Sequence, residues 1–131
     1  EMPPAVNQIE THLLCQRRVE HAWLKKYKVQ HMAYAPLGQG RINEMFDEPA
    51  LVEIAKAHGK TAAQTALRFL IQSGAAAIPK SAHKARIREN FDLFDFELSG
   101  EELDRLTKLD RAAPLIGSAE DPALVEAAMK W

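Results

Sequence analysis

An α/β domain built on parallel strands is the fold class this sequence predicts, and three observations predict it. Short apolar runs of strand character alternate with amphipathic helical stretches, in the order strand–helix–strand–helix pair–strand–helix. The intervals between the strands are too long for hairpins and fit right-handed crossovers that return each strand in the same direction. At 131 residues, with one cysteine and a net charge of −1, the chain is of a size for one domain with a modest core.

Residues 5–10 read as the first strand, with unusual polar content in Asn7, Gln8 and Glu10. Residues 16–26 read as a helix whose apolar side is Val19, Ala22, Trp23 and Leu24. A second strand over residues 29–35 closes at Pro36-Leu37-Gly38-Gln39-Gly40, and a linker runs on to Glu48. Leu51, Ile54, Ala55 and His58 mark the next helical face, which Gly59 ends. Thr61 and Gln64 form a capping-box pattern for a helix buried through Ala63, Ala66, Leu67, Leu70 and Ile71. Ser73-Gly74 stops it, and residues 75–78 form the third strand. The helix after Ser81 is expected to bury Ile87, Phe91 and Phe94. Ser99 and Glu102 make a second capping box, with Leu98 and Leu103 as a staple and Leu103, Leu106 and Leu109 packing inward. Asp121-Pro122 caps a last helix carrying Leu124, Val125, Ala128 and Met129. Three parallel strands cannot cover their own faces and edges. Either the sheet is completed by further strands, or this is a small open α/β domain.

Bulk properties narrow the partners. A net charge near zero gives no footprint for nucleic acid or an anionic membrane surface. No apolar run approaches the roughly 20 residues a membrane span requires. Cys15, the lone cysteine, cannot form an internal disulfide, which leans toward a reducing compartment and a cytoplasmic location. The chain starts at Glu1-Met2-Pro3-Pro4 and enters a strand almost at once, which reads as a cut in a longer sequence. His12, His21, His31 and His58 have no metal-ligand spacing and read as structural.

Ile78-Pro79-Lys80-Ser81, followed by Arg86 and Asn90 four residues apart on one helical face, is the most informative stretch. Lysine, hydroxyl, helix N-terminus and arginine in one strand-to-helix turn form a receptacle for a phosphate. An ordinary turn with solvated cations is the competing reading, and from composition the two stand level.

Five motifs occur in order: Ala5-Val-Asn-Gln-Ile-Glu10, Ala33-Tyr-Ala-Pro-Leu-Gly38, His58-Gly-Lys-Thr-Ala-Ala-Gln64, Ile78-Pro-Lys-Ser81 with Arg86, Glu89 and Asn90, and Phe94-Asp-Phe-Glu-Leu-Ser99. Together they resemble the C-terminal part of the aldo-keto reductases, NADPH-dependent carbonyl reductases built on a (β/α)8 barrel. The resemblance runs from Pro4 to about Asp110 and implies that the three strands are the sixth to eighth of such a barrel. It makes residues 1–131 a partial barrel carrying the cofactor-binding part, with residues 111–131 as C-terminal loop and helix. It implies that Gln8 binds the nicotinamide carboxamide and that Tyr34 stacks on the nicotinamide ring. Leu37, Gly38 and Gln39 would run along the pyrophosphate. Lys80, Ser81 and Arg86 would grip the adenosine 2′-phosphate, Asn90 would bond the adenine, and Glu89 would lie nearby. Two positions depart from the family pattern: Ala35 stands where serine is usual, and His83 where threonine, valine or arginine is common. His83 would bring a pH-dependent charge to the phosphate.

The family's catalytic aspartate, tyrosine, lysine and histidine belong to the first half of the barrel. Tyr27 and Tyr34 are the only tyrosines, and neither matches the acid, so no catalytic residue is assigned. The expectation is a fragment of an enzyme that reduces aldehydes and ketones with NADPH, inactive by itself. The alternative is a non-catalytic partial barrel that binds nucleotide or self-associates through open edges; another phosphate-binding barrel is the weaker third reading. NADPH is expected over NADH. The parent's partner would be a small carbonyl substrate, with no nucleic acid and no membrane.

Overall fold

A computed structural model describes residues 2–40, 42–117, 122, 123 and 126. Three parallel strands, β1 (Val6–Glu10), β2 (Gln30–Tyr34) and β3 (Ala76–Ala77), form one sheet in the order β1-β2-β3. Among the described residues the helices are α1 (Arg18–Lys26), α2 (Ile42–Phe46), α3 (Pro49–Ala57), α4 (Ala62–Gln72), α5 (Lys84–Phe91) and α6 (Gly100–Thr107). The register sets Gln8 beside Met32 and Glu10 beside Tyr34, and on the other side Met32 beside Ala76 and Ala33 beside Ala77. β3 is shorter than the expected strand because alanine has little β preference and Pro79 ends the ladder. Ile78 still donates its N–H to the Ala33 carbonyl at 3.2 Å.

Side chains alternate across the sheet, so His31 and Ala33 share one face and Met32 and Tyr34 the other. His31 and Ala33 are buried against the helices, at 2% and 0% exposure. Gln8 is exposed, and Met32 and Tyr34 are only half-buried. Helices therefore cover one face of the sheet and leave the other open around Gln8, Met32 and Tyr34, with only Glu10 at its carboxyl end buried. The core behind the covered face joins Leu51 and Ile54 of α3, Ala66 and Leu70 of α4, Leu106 of α6, and Leu13 and Leu14 of the β1–α1 turn.

Both capping boxes form as the sequence spacing predicts. The Thr61 hydroxyl accepts the Gln64 N–H while the Gln64 amide oxygen accepts the Thr61 N–H; Ser99 and Glu102 repeat the pattern on α6. Gly59 follows α3 at φ 63°, a conformation open to glycine without the clash a side chain meets. In α4, Ala66, Leu67 and Leu70 are buried as expected, Ala63 and Ile71 are half-buried, and Gln64, Thr65 and Phe69 join the interior.

Three expectations are corrected. The linker before Glu48 contains α2, whose Met45 is fully buried. Ile42, Met45 and Phe46 carry the helical spacing, which the breakers at 36–40 masked. α1 buries none of its residues, and Val19 and Trp23 are 70% and 54% exposed. α5 likewise fails to bury Ile87, Phe91 or Phe94, which are 53%, 75% and 65% exposed; Leu93 and Leu98 take the interior positions. Both helices follow edge strands, and the apolar faces that sequence periodicity marks have no covering element among the described residues. The expected last helix, with Asp121, Leu124, Val125, Ala128 and Met129, lies outside the described residues.

Candidate functional site

The open face and the carboxyl ends of the strands gather most of the residues singled out from the sequence. Gln8 and Tyr34 share that face on adjacent strands, two residues apart in register. Gln8 directs its amide Nε2 to the Met32 sulfur at 3.2 Å, a weak acceptor that leaves the amide free for a better one. Burial, reinforced by the nearby Glu10 charge, pushes the Tyr34 phenol above its ordinary range, so its ring stays neutral. A half-buried, neutral ring on an otherwise open face is a platform for a flat apolar or aromatic group.

Immediately after Tyr34 the backbone turns at Ala35, a non-glycine residue held at φ 50°. The turn closes through the Gly38 N–H on the Ala35 carbonyl at 2.9 Å. Gly38 is buried at φ 76°, Leu37 packs against the core and Gln39 is exposed. Strain of this kind survives only where surrounding structure enforces it.

At the end of β3, Lys80 is exposed and Ser81 half-buried. The Ser81 hydroxyl accepts the His83 N–H at 3.1 Å, and His83 is the N-cap residue of α5 without a capping side chain of its own. The first turn of α5 holds no acidic residue. Arg86 is exposed and Asn90 half-buried; neither they nor Lys80 make a side-chain hydrogen bond or ion pair among the described residues. Two unpaired cations beside an uncapped helix start suit an anion. His83 is exposed on the same turn.

Glu89 differs from its neighbours. Its carboxylate accepts the Thr61 hydroxyl at 2.7 Å, and its carbonyl accepts the Gln64 amide at 3.2 Å. The start of α4 thus holds it, which anchors α5 and positions the turn before it. Gln64, 5% exposed, also donates to Asp92 O at 3.0 Å. Sequence reasoning read Gln64 only as a cap; its second role depends on a partner 28 residues away.

A separate buried polar cluster occupies the β1–α1 turn. His12 Nε2 lies 3.1 Å from Glu10 Oε1, and both residues are almost wholly buried. Burial drives the His12 ring below its ordinary range despite that carboxylate. His31 is lowered by burial and then by His21, whose Nδ1 lies 2.9 Å from its own Nδ1. A cavity of about 190 Å³ lies on this helical side, lined by Thr11, His21, His31, Phe69 and Ser73 among others. It is behind the sheet, away from Gln8, Tyr34 and the Lys80–Asn90 turn. Among the described residues no cluster of histidine, cysteine and carboxylate side chains is arranged to hold a metal ion.

Comparison with known proteins places this geometry in context. The aldo/keto reductase family model matches residues 1–111. Methylglyoxal reductase DkgA of Escherichia coli (strain K12) is 43% identical over 112 residues, which is 86% of this chain and 40% of that protein. A 9,11-endoperoxide prostaglandin H2 reductase of Trypanosoma cruzi is 38% identical over 118 residues, 90% of this chain and 42% of that one. Among solved structures, an aldo-keto reductase from a Medee basin deep-sea metagenome library superposes with TM-score 0.89 at 36% identity, covering 92% of this chain and 44% of that chain. A Bombyx mori aldo-keto reductase in complex with NADP gives TM-score 0.82 at 32% identity, with 91% and 41% covered. The chain thus spans about two-fifths of the length of the curated relatives it matches. It belongs to the aldo-keto reductase family.

Proposed function

We propose that this chain is the cofactor-binding part of an NADPH-dependent aldo-keto reductase, formed by strands six to eight of the barrel with their helices. The observation that carries the reading is the pairing of an open sheet face, bearing Gln8 and Tyr34, with an unpaired Lys80–Arg86 turn at the end of the edge strand. Tyr34 offers a flat surface for the nicotinamide, and Gln8 a free amide for its carboxamide. Leu37, Gly38 and Gln39 follow the pyrophosphate along the turn after β2. Lys80, Ser81 and Arg86 take the 2′-phosphate, with His83 beside it, and Asn90 takes the adenine. Glu89 serves this site by tying α5 to α4 through Thr61 rather than by an open acceptor. NADPH, when bound, supplies a hydride; the chain's own residues bind and orient it.

Two open seams support the partial-barrel reading. Among the described residues, apart from Met2, Val52 and Ile116, the exposed large apolar side chains fall on β1 and on or just after α1 (Val6, Val19, Trp23, Tyr27), or on and after β3 and α5 (Ile78, Ile87, Phe91, Phe94). These are the two edges that five further β/α units of a closed barrel would cover, in a fold of about 250 residues. The proton donor and its partners come from those units, so the 131 residues bind cofactor without turning over a carbonyl. The test is the purified chain with NADPH and a simple aldehyde: cofactor binding without oxidation of NADPH is expected. Steady oxidation would contradict the assignment of catalysis to the absent units.

The same seams favour a second reading, a non-catalytic partial barrel that associates through its edges. Light scattering separates the two ideas: a mass that rises with concentration supports edge association, and a strict monomer counts against it.

A further inference from the structure

Glu10 ends β1 and is 2% exposed. One oxygen, Oε1, accepts from His12 Nε2 at 3.1 Å, from the Leu115 amide at 2.5 Å and from the Ile116 amide at 3.1 Å. The Leu14 N–H donates to His12 Nδ1 at 3.3 Å, so the ring proton sits on Nε2 and points at Glu10. The other oxygen, Oε2, is buried with no partner among the described residues. Burying a carboxylate with half of it unsatisfied is unfavourable, and a packed apolar side chain of similar volume is the more stable occupant of such a place. Packing therefore does not account for a glutamate here. Its distant partners do: two consecutive backbone amides 105 and 106 residues away in the chain.

Those amides belong to the segment that leaves α6 and crosses the β1–α1 turn. The segment is attached first at Asp110, whose Oδ1 accepts the Gln16 amide at 3.1 Å, and then by the Arg111 N–H on the Leu14 carbonyl at 2.9 Å. Glu10 makes a further attachment, with a buried carboxylate that bonds two amides at once. Glu10 is also the register partner of Tyr34 and shares its face of the sheet.

We propose that Glu10 is the positioning residue that fixes residues 113–116 across the carboxyl end of β1 on the Tyr34 side, making this segment a wall at the mouth of the cofactor site. The mouth rests on the proposed function above; the clamp itself rests on the hydrogen bonds alone. Amide hydrogen exchange in the full 131-residue chain tests it with two variants of matched size. Glu10→Met keeps the volume without an acceptor, and Glu10→Gln keeps a carbonyl in the same place. The expected result is exchange at Leu115 and Ile116 about tenfold or more faster in Glu10→Met and within roughly threefold of the parent in Glu10→Gln, with Ala33 and Leu67 unchanged. Retained protection at Leu115 and Ile116 in Glu10→Met overturns the proposal, because the side chain is then only packing. Equal loss in both variants overturns it as well. If Glu10→Met unfolds, scalar coupling across the hydrogen bonds in the unmodified chain decides: coupling between the Glu10 carboxyl carbon and both amide nitrogens supports the clamp, and its absence overturns it. Failure of the chain to bind NADPH overturns the reading of the site and leaves these amides unaffected.

Discussion

Behind the sheet, burial is the largest cause holding two histidines, His31 and His12, below their ordinary range. The Thr11 hydroxyl lies between the Ile9 carbonyl, at 3.1 Å, and His31 Nε2, at 2.8 Å. On the other side of the ring, His31 Nδ1 lies 2.9 Å from His21 Nδ1, so one of the two nitrogens donates and the other accepts. This contact ties α1 to β2. His12 is in a similar position: burial lowers it, and its Nδ1 is occupied by the Leu14 amide. Both rings have folded-state pKa values below the unfolded value of about 6.5, so the unfolded chain binds more protons as pH falls. These two rings add no pH dependence above neutrality, and stability should decline from about pH 6.5 downward, flattening only below the lowered folded values. Urea unfolding at a series of pH values checks this; a midpoint unchanged between about pH 7.5 and 5.5 contradicts it. None of this was legible from the histidine spacing, because each ring's partner is set by strand register or by the β1–α1 turn.

Helix starts are where sequence and structure agree most closely. A capping box is a local device, complete within four residues, so Thr61–Gln64 and Ser99–Glu102 could be read directly. The faces of α1 and α5 were legible as patterns but not as burial, since burial depends on neighbours that edge strands lack. α2 went unread because a five-residue helix offers a single turn of pattern next to strong breakers. Thr61 does more than Ser99: its hydroxyl also holds Glu89 and so joins α4 to α5. Thr61→Ala should cost about 1–2 kcal/mol, above the roughly 1 kcal/mol expected for Ser99→Ala. Denaturant midpoints of the two variants check the order. Equal shifts would mean that the Thr61–Glu89 bond adds nothing.

At the scale of the whole molecule, the sheet is asymmetric in a way an independent α/β domain is not. Parallel sheets are ordinarily covered on both faces. Here one face is open and both edges are lined with exposed apolar side chains, including the stacked Trp23–Tyr27 pair and the edge-on Phe91–Phe94 pair. A self-contained open domain and a part of a barrel were both open from the strand order alone. The five ordered motifs favour the barrel part proposed above, because they bear on what stands at the carboxyl end of each strand. They did not reveal Glu10 as a clamp, since its partners at Leu115 and Ile116 follow a loop whose path no local pattern encodes. Nor did they show that Glu89 is engaged by α4.

The central claim is that the turn from Lys80 to Asn90, beside Tyr34, is built for a 2′-phosphorylated dinucleotide. Calorimetric titration of the chain and its Arg86→Ala variant with NADPH and with NADH tests it most directly. Arg86 is exposed and makes no side-chain hydrogen bond or ion pair among the described residues, so its removal breaks none there. One lost charge-assisted contact is worth about 1.5–3 kcal/mol, so NADPH affinity should fall roughly tenfold or more while NADH affinity stays the same. Equal loss for both cofactors, or no preference for NADPH in the unmodified chain, would contradict the account.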